Sequence, residues 1–157
     1  MPGISWRQIH WRRNELPPYH EATAKTCELH LKAKNPDAAW QDYEDFLNSG
    51  GEKLPVATWF ELCRILEERE SYDRALSELE SLIQAYPAER QSLMAQMAAA
   101  RICLKRLNRP EDALKFYKAA AQSPIPHLDL DPAIQAGIRA ASTAQAGEHS
   151  ASAAAST

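Results

Sequence analysis

The chain has 157 residues, 45% of them hydrophobic and 25% charged, with a formal net charge of −3. That length suffices for one domain with its own core, and a total so near neutral implies no polyanion partner. Glycine is scarce beside abundant alanine, which favours helix over sheet.

Residues 1–18 set Arg7, Arg12 and Arg13 against a single acid, Glu15. They read as a basic, flexible leader that ends in Leu16-Pro17-Pro18 and precedes a mildly acidic body. Charged and imidazole side chains interrupt it, so it lacks the apolar core of a secretory signal. No run approaches the roughly 20 apolar residues of a membrane helix, and a cytoplasmic chain is expected.

Apolar steps of three and four predict helices over 19–33, 36–48, 55–69, 72–85, 89–107, 110–122 and 132–142. Tyr72, Ala75, Leu76, Leu79, Leu82, Ile83 and Tyr86 form the clearest stripe. Asn35-Pro36-Asp37 offers an N-cap, a proline at the first helical position and an acid at the positive helix end. Arg109-Pro110-Glu111-Asp112 repeats that device, Ser71 and Asp131-Pro132 open two further helices, and Asn48-Ser-Gly-Gly51 closes one. The breaks are short, which predicts antiparallel neighbours. Leu130, Ile134 and Ile138 would let the last helix cover the hairpin before it, with Gly137 weakening that helix. Residues 143–157 lack large apolar side chains and read as a disordered tail.

The second helix of each hairpin opens alike: Asn35-Pro-Asp-Ala-Ala-Trp-Gln-Asp-Tyr43, Ser71-Tyr-Asp-Arg-Ala-Leu-Ser-Glu-Leu79 and Arg109-Pro-Glu-Asp-Ala-Leu-Lys-Phe-Tyr117. Superposing Ala39, Ala75 and Ala113 gives spacings of 36 and 38 residues. An acid stands two before each alanine, and Tyr43, Leu79 or Tyr117 stands one turn after it. This pattern resembles the tetratricopeptide repeat. In the middle hairpin Trp59, Leu62, Cys63, Leu66, Tyr72, Ala75, Leu79 and Pro87 fit its places, while Leu82 departs from the usual alanine. The resemblance covers residues 20–123 and implies an all-α fold of antiparallel hairpins. About three of them would stack as a short solenoid over residues 19–142, closed by a C-terminal capping helix. A second resemblance, carried by Trp6-Arg7-Gln8-Ile9-His10-Trp11-Arg12-Arg13 and by Pro126–Asp129, is to the soluble region of bacterial rhomboid-family membrane proteins. It implies a cytosolic regulatory appendage whose leader lies beside a membrane.

The repeat family binds protein segments along the concave face lined by the first helix of each hairpin. Carried over place by place, that face holds Glu28 and Lys32, then Phe60, Arg64 and Glu67, then Ile102, Lys105 and Arg106. Phe60 and Ile102 would be its apolar anchors, and the function expected is capture of a partner peptide or helix. No catalytic motif appears, so no enzyme, cofactor or metal is expected. His127, Asp129 and Asp131 read as a polar loop before a helix cap, and Cys27, Cys63 and Cys103 read as small buried hydrophobes in a reducing compartment.

Overall fold

In the computed structural model of the chain, the backbone is described for residues 18–155 and side chains for residues 21–148. The basic leader therefore lies outside the described residues, apart from its last residue. Those residues form helices without a strand: α1 (Pro18–Lys32), α2 (Pro36–Asn48), α3 (Val56–Glu68), α4 (Tyr72–Ala85), α5 (Arg90–Lys105), α6 (Pro110–Ala121) and α7 (Asp131–Ala155). The first six fall within two residues of the positions that periodicity and caps predict. The chain divides into two compact units, up to Leu62 and from Cys63 onward, and the division falls inside α3.

In the first unit α1 packs on α2. Cys27 and Ala39 are wholly buried, and the Cys27 thiol donates to the Ala39 carbonyl at 3.4 Å. His30 of α1 hydrogen-bonds Asp42 of α2 at the edge of this contact. Phe46 closes the far end under Gly51, where an added Cβ would sit 2.5 Å from the phenyl ring.

In the second unit α4 packs on α5, α5 on α6, and α7 on both α5 and α6. Leu93, Ala120 and Ile134 form a buried cluster, flanked by Met97, Ile125, Leu130 and Ile138. The last helix thus covers its neighbours through the apolar residues expected of it. Gly137 plays a different part from the one the sequence suggests. A Cβ there would lie 2.4 Å from the Tyr117 ring, so the glycine admits close approach of α7 to α6. The tail expectation is also corrected, because α7 continues to Ala155. Alanine has the highest helix propensity, and helix formation needs no large apolar side chain. Glu148 lies beside the 108–112 segment at the start of α6, so α7 runs back along the whole of that helix.

The alanines shared by the three repeats, Ala39, Ala75 and Ala113, are all at 0% exposure. Tyr43, Leu79 and Tyr117, one turn on, are buried beside them. The turns that precede them also recur. Lys34, Glu70 and Asn108, each five residues before its alanine, have left-handed φ of 58°, 62° and 52°. In the first two turns the hydrogen bonds are those of a Schellman cap. Lys34 N–H donates to Leu31 and Asn35 N–H to His30, while Glu70 N–H donates to Glu67 and Ser71 N–H to Leu66. The third turn is wider, with Arg109 N–H reaching Cys103, which absorbs part of the longer spacing. Asn35 then caps α2 by accepting from Ala38 N–H.

Lysine and glutamate bear a steric cost of about 1–2 kcal/mol in the left-handed region, where glycine bears none. Lys34→Gly and Glu70→Gly are each expected to raise the unfolding free energy by about 1 kcal/mol, read from urea denaturation midpoints. Gly137→Ala should do the opposite. Although alanine favours helix by about 1 kcal/mol, its methyl group would strike Tyr117, and a net loss of about 1–3 kcal/mol is expected.

Candidate binding surface of the second unit

Helix α5 is packed on most of its circumference, with Leu93, Ala95, Ala99, Ala100, Ile102 and Cys103 all buried. One strip stays outside. Met94 is 40% exposed, and Ala98, Arg101 and Lys105 follow it at steps of four, three and four along the same face. Arg101 joins this strip to the end of α3, where one guanidinium nitrogen donates to both carboxylate oxygens of Glu67, at 2.6 and 2.8 Å. Arg64 stands on α3 one turn before, 3.6 Å from Glu68 and more than half exposed. Arg106 lies over the Tyr72 ring at 5.6 Å, a cation–π contact of about 0.5–1 kcal/mol at an exposed site.

Glu67, Arg64 and Lys105 thus share a surface region with Arg101. Ile102 does not, since it is 1% exposed and packs inward. Its proposed role as an anchor is withdrawn for a physical reason: one residue along a helix is a rotation of about 100°. The outward residue is Arg101, which the sequence reading passed over. Its signal was the spacing of Ala98, Arg101 and Lys105 through the alanine-rich stretch.

Glu28, Lys32 and Phe60 belong to the first unit. Glu28 lies between Lys32 at 3.0 Å and Lys25 at 3.3 Å, and hydrogen bonds from these two ammonium groups hold its carboxyl below the usual range. Phe60 is partly buried on α3.

The loop between α6 and α7 is built for support. His127 Nδ1 donates to the Ile125 carbonyl at 2.6 Å, and its Nε2 lies 3.2 Å from Asp131. Asp129 pairs with Arg90 at the start of α5, and Arg90 also donates to the Pro126 carbonyl at 3.3 Å. Arg90 holds Asp129 below the ordinary carboxylate range. No three potential metal ligands cluster among the described residues.

All three cysteines are free and buried. Burial, reinforced by Asp42, pushes the Cys27 thiol up to about 12. Burial and then Asp112 push Cys103 up to about 11, and Cys63 is raised by burial and Glu78. At neutral pH they are protonated packing groups. Among the described residues no helix is long and apolar enough to cross a membrane. No known protein family, curated protein or solved structure matches the chain.

An acid whose folded pKa is raised keeps its proton in the native state after the unfolded chain has lost it. Stability is therefore intact below the unfolded thiol value and falls as pH rises from about 8.5 towards the folded values. The steepest loss is about 1.4 kcal/mol per pH unit for each thiol. Urea denaturation between pH 8 and 10.5 should show this slope, and Cys27→Ala should flatten it relative to the parent.

Proposed function

We propose that the chain is a protein-interaction module of tetratricopeptide-like architecture, and that the strip joining α3 and α5 is a place where it holds a partner segment. The observation that carries this reading is the composition of that strip. Met94 and Ala98 offer apolar surface, and Arg101 and Lys105 continue the same face of α5 beyond them, with Glu67 paired to Arg101 and Arg64 and Glu68 beside it on α3. Apolar surface adjoining charged groups is a common composition of interfaces. With Arg101 paired to Glu67 and Arg64 to Glu68, Lys105 leaves the strip one positive charge in excess, which favours an extended or helical segment that carries an acidic residue beside an apolar side chain.

The recurrent turn, alanine contact and one-turn plug support the repeat architecture. Such units bury their apolar faces on one another and leave the outer faces of their helices for recognition. The chemistry of the strip is that of binding: its groups are fixed charges and a thioether, with no nucleophile beside a base. We therefore read the chain as a non-enzymatic module.

The test is proximity labelling in the source cell followed by affinity measurement on the recovered partner. The double variant Met94→Glu with Lys105→Glu changes two exposed side chains and should keep the parent's helicity and denaturation midpoint. Its affinity for the partner is expected to fall by tenfold or more, a range consistent with loss of a central contact and a charge contact. An unchanged set of labelled partners and unchanged affinity would sink the assignment of this surface.

A further inference from the structure

Helix α7 changes character along its length. Its first part carries Ile134, at 0% exposure, and Ile138 into the cluster with Leu93 and Ala120. Gly137 lies against the Tyr117 ring, and Ala141 is wholly buried. The same stripe runs on at steps of four and three through Gln145, which is half-buried, to Glu148, which lies beside the 108–112 segment. Apart from Gln145, every residue from Ser142 to Glu148 is exposed. An added Cβ at Gly147 would meet nothing within 4 Å.

The two parts are therefore held by different means. Up to Ala141 the helix is fixed by apolar burial. From Ser142 to Ala155 the chain has no apolar side chain larger than that of alanine, so burial contributes little. Alanine favours helix there and Gly147 opposes it. A helix of about 12–15 residues alone in water is marginal even when alanine-rich, and the second part of α7 is of that length. Docking supplies what the local sequence lacks: the Glu148 carboxylate lies near the start of α6, whose free N–H groups carry positive partial charge.

We infer that residues 142–155 form a detachable strap over the start of α6. Docked, the strap is helical. Released, it loses its helix while residues 131–141 stay in place, because segments with few buried apolar contacts open independently of the core. Undocking and melting are one step, since the free segment does not sustain its helix. Release uncovers the 108–112 segment, where Asn108 makes the left-handed turn and Pro110 opens α6. The hinge lies just past Ala141, the last residue of α7 that is fully buried among those with described side chains.

Hydrogen exchange of the full chain, resolved by residue with NMR, tests the strap. Amides 143–150 are expected to share one protection factor, about a hundredfold or more below that of Ile134–Ala141 and above that of an unstructured chain. Gly147→Ala has room for its methyl group and should raise the strap's protection about fivefold through helix propensity alone. Gly147→Pro should hold the strap open. Protection over 143–150 is then lost and the amides of Asn108, Arg109 and Glu111 shift, while Ile134–Ala141 remain protected. The strap is overturned if 143–150 exchange as slowly as Ile134–Ala141, which makes α7 one unit. Exchange of 143–150 at unstructured rates in the parent chain, or a protection that decays residue by residue towards the end, would mark a free or merely frayed tail and also overturns it. So does a Gly147→Pro variant that strips protection from Ile134–Ala141 or leaves the 108–111 amides unmoved. Neither variant touches Met94 or Lys105, so failure here is separable from failure of the α3–α5 surface.

Discussion

The burial of three small residues, one in the first turn of each of α2, α4 and α6, is the constraint on which the rest depends. Ala39, Ala75 and Ala113 are completely buried, and Ala39 sits against Cys27 where α1 packs on α2. One turn along, Tyr43, Leu79 and Tyr117 are buried in turn, Tyr117 against Gly137 of α7. Packing of this kind depends on matching small to large residues. It also limits the connection that precedes each alanine, because the chain reverses within three or four residues before the second helix begins.

That reversal is made by one backbone device. A left-handed residue at Lys34, Glu70 and Asn108 turns the chain, and the next residue is the N-cap of the following helix. Only Asn108 is a residue type that accepts this conformation readily. Lysine and glutamate are held there by the Schellman hydrogen bonds behind them and the alanine contact ahead. Local strain of this size persists only where the surroundings fix the conformation. The turn and the helix contact are therefore one mechanical unit, repeated three times with small variations.

Sequence alone revealed the helices and little of the surface. The helices were legible because apolar steps, prolines at first helical positions and polar caps all pointed to the same boundaries. The repeat was legible because the alanine and its neighbours keep fixed intervals. The left-handed turns were hidden, since Lys34 and Glu70 carry no mark of their conformation. Gly137 was misread as a weakness because helix propensity is local, whereas its packing partner Tyr117 is twenty residues earlier. The reach of α7 was missed because a lack of large side chains was equated with disorder. On the candidate surface, the sequence places Arg64, Glu67 and Lys105 on an outward face, but it puts Ile102 where Arg101 stands. In an alanine-rich helix the apolar stripe is faint, and a register error of one residue exchanges the core face for the exposed one.

The same helix that was hardest to read is the one that organises the second unit. α5 is contacted by α4, α6 and α7, so its small residues serve three interfaces at once and few positions remain for anything else. What is left lies in two narrow bands on nearly opposite sides. One carries Met94, Ala98, Arg101 and Lys105 outward, and the other carries Gln96 and Cys103 to the floor of a cleft between α4 and α6. A helix packed this tightly cannot shift to accommodate a ligand on one band without disturbing the contacts beneath the other. Any coupling between the two bands must therefore pass through Ala95, Ala99 and Ala100, whose buried methyl groups leave it little room to move.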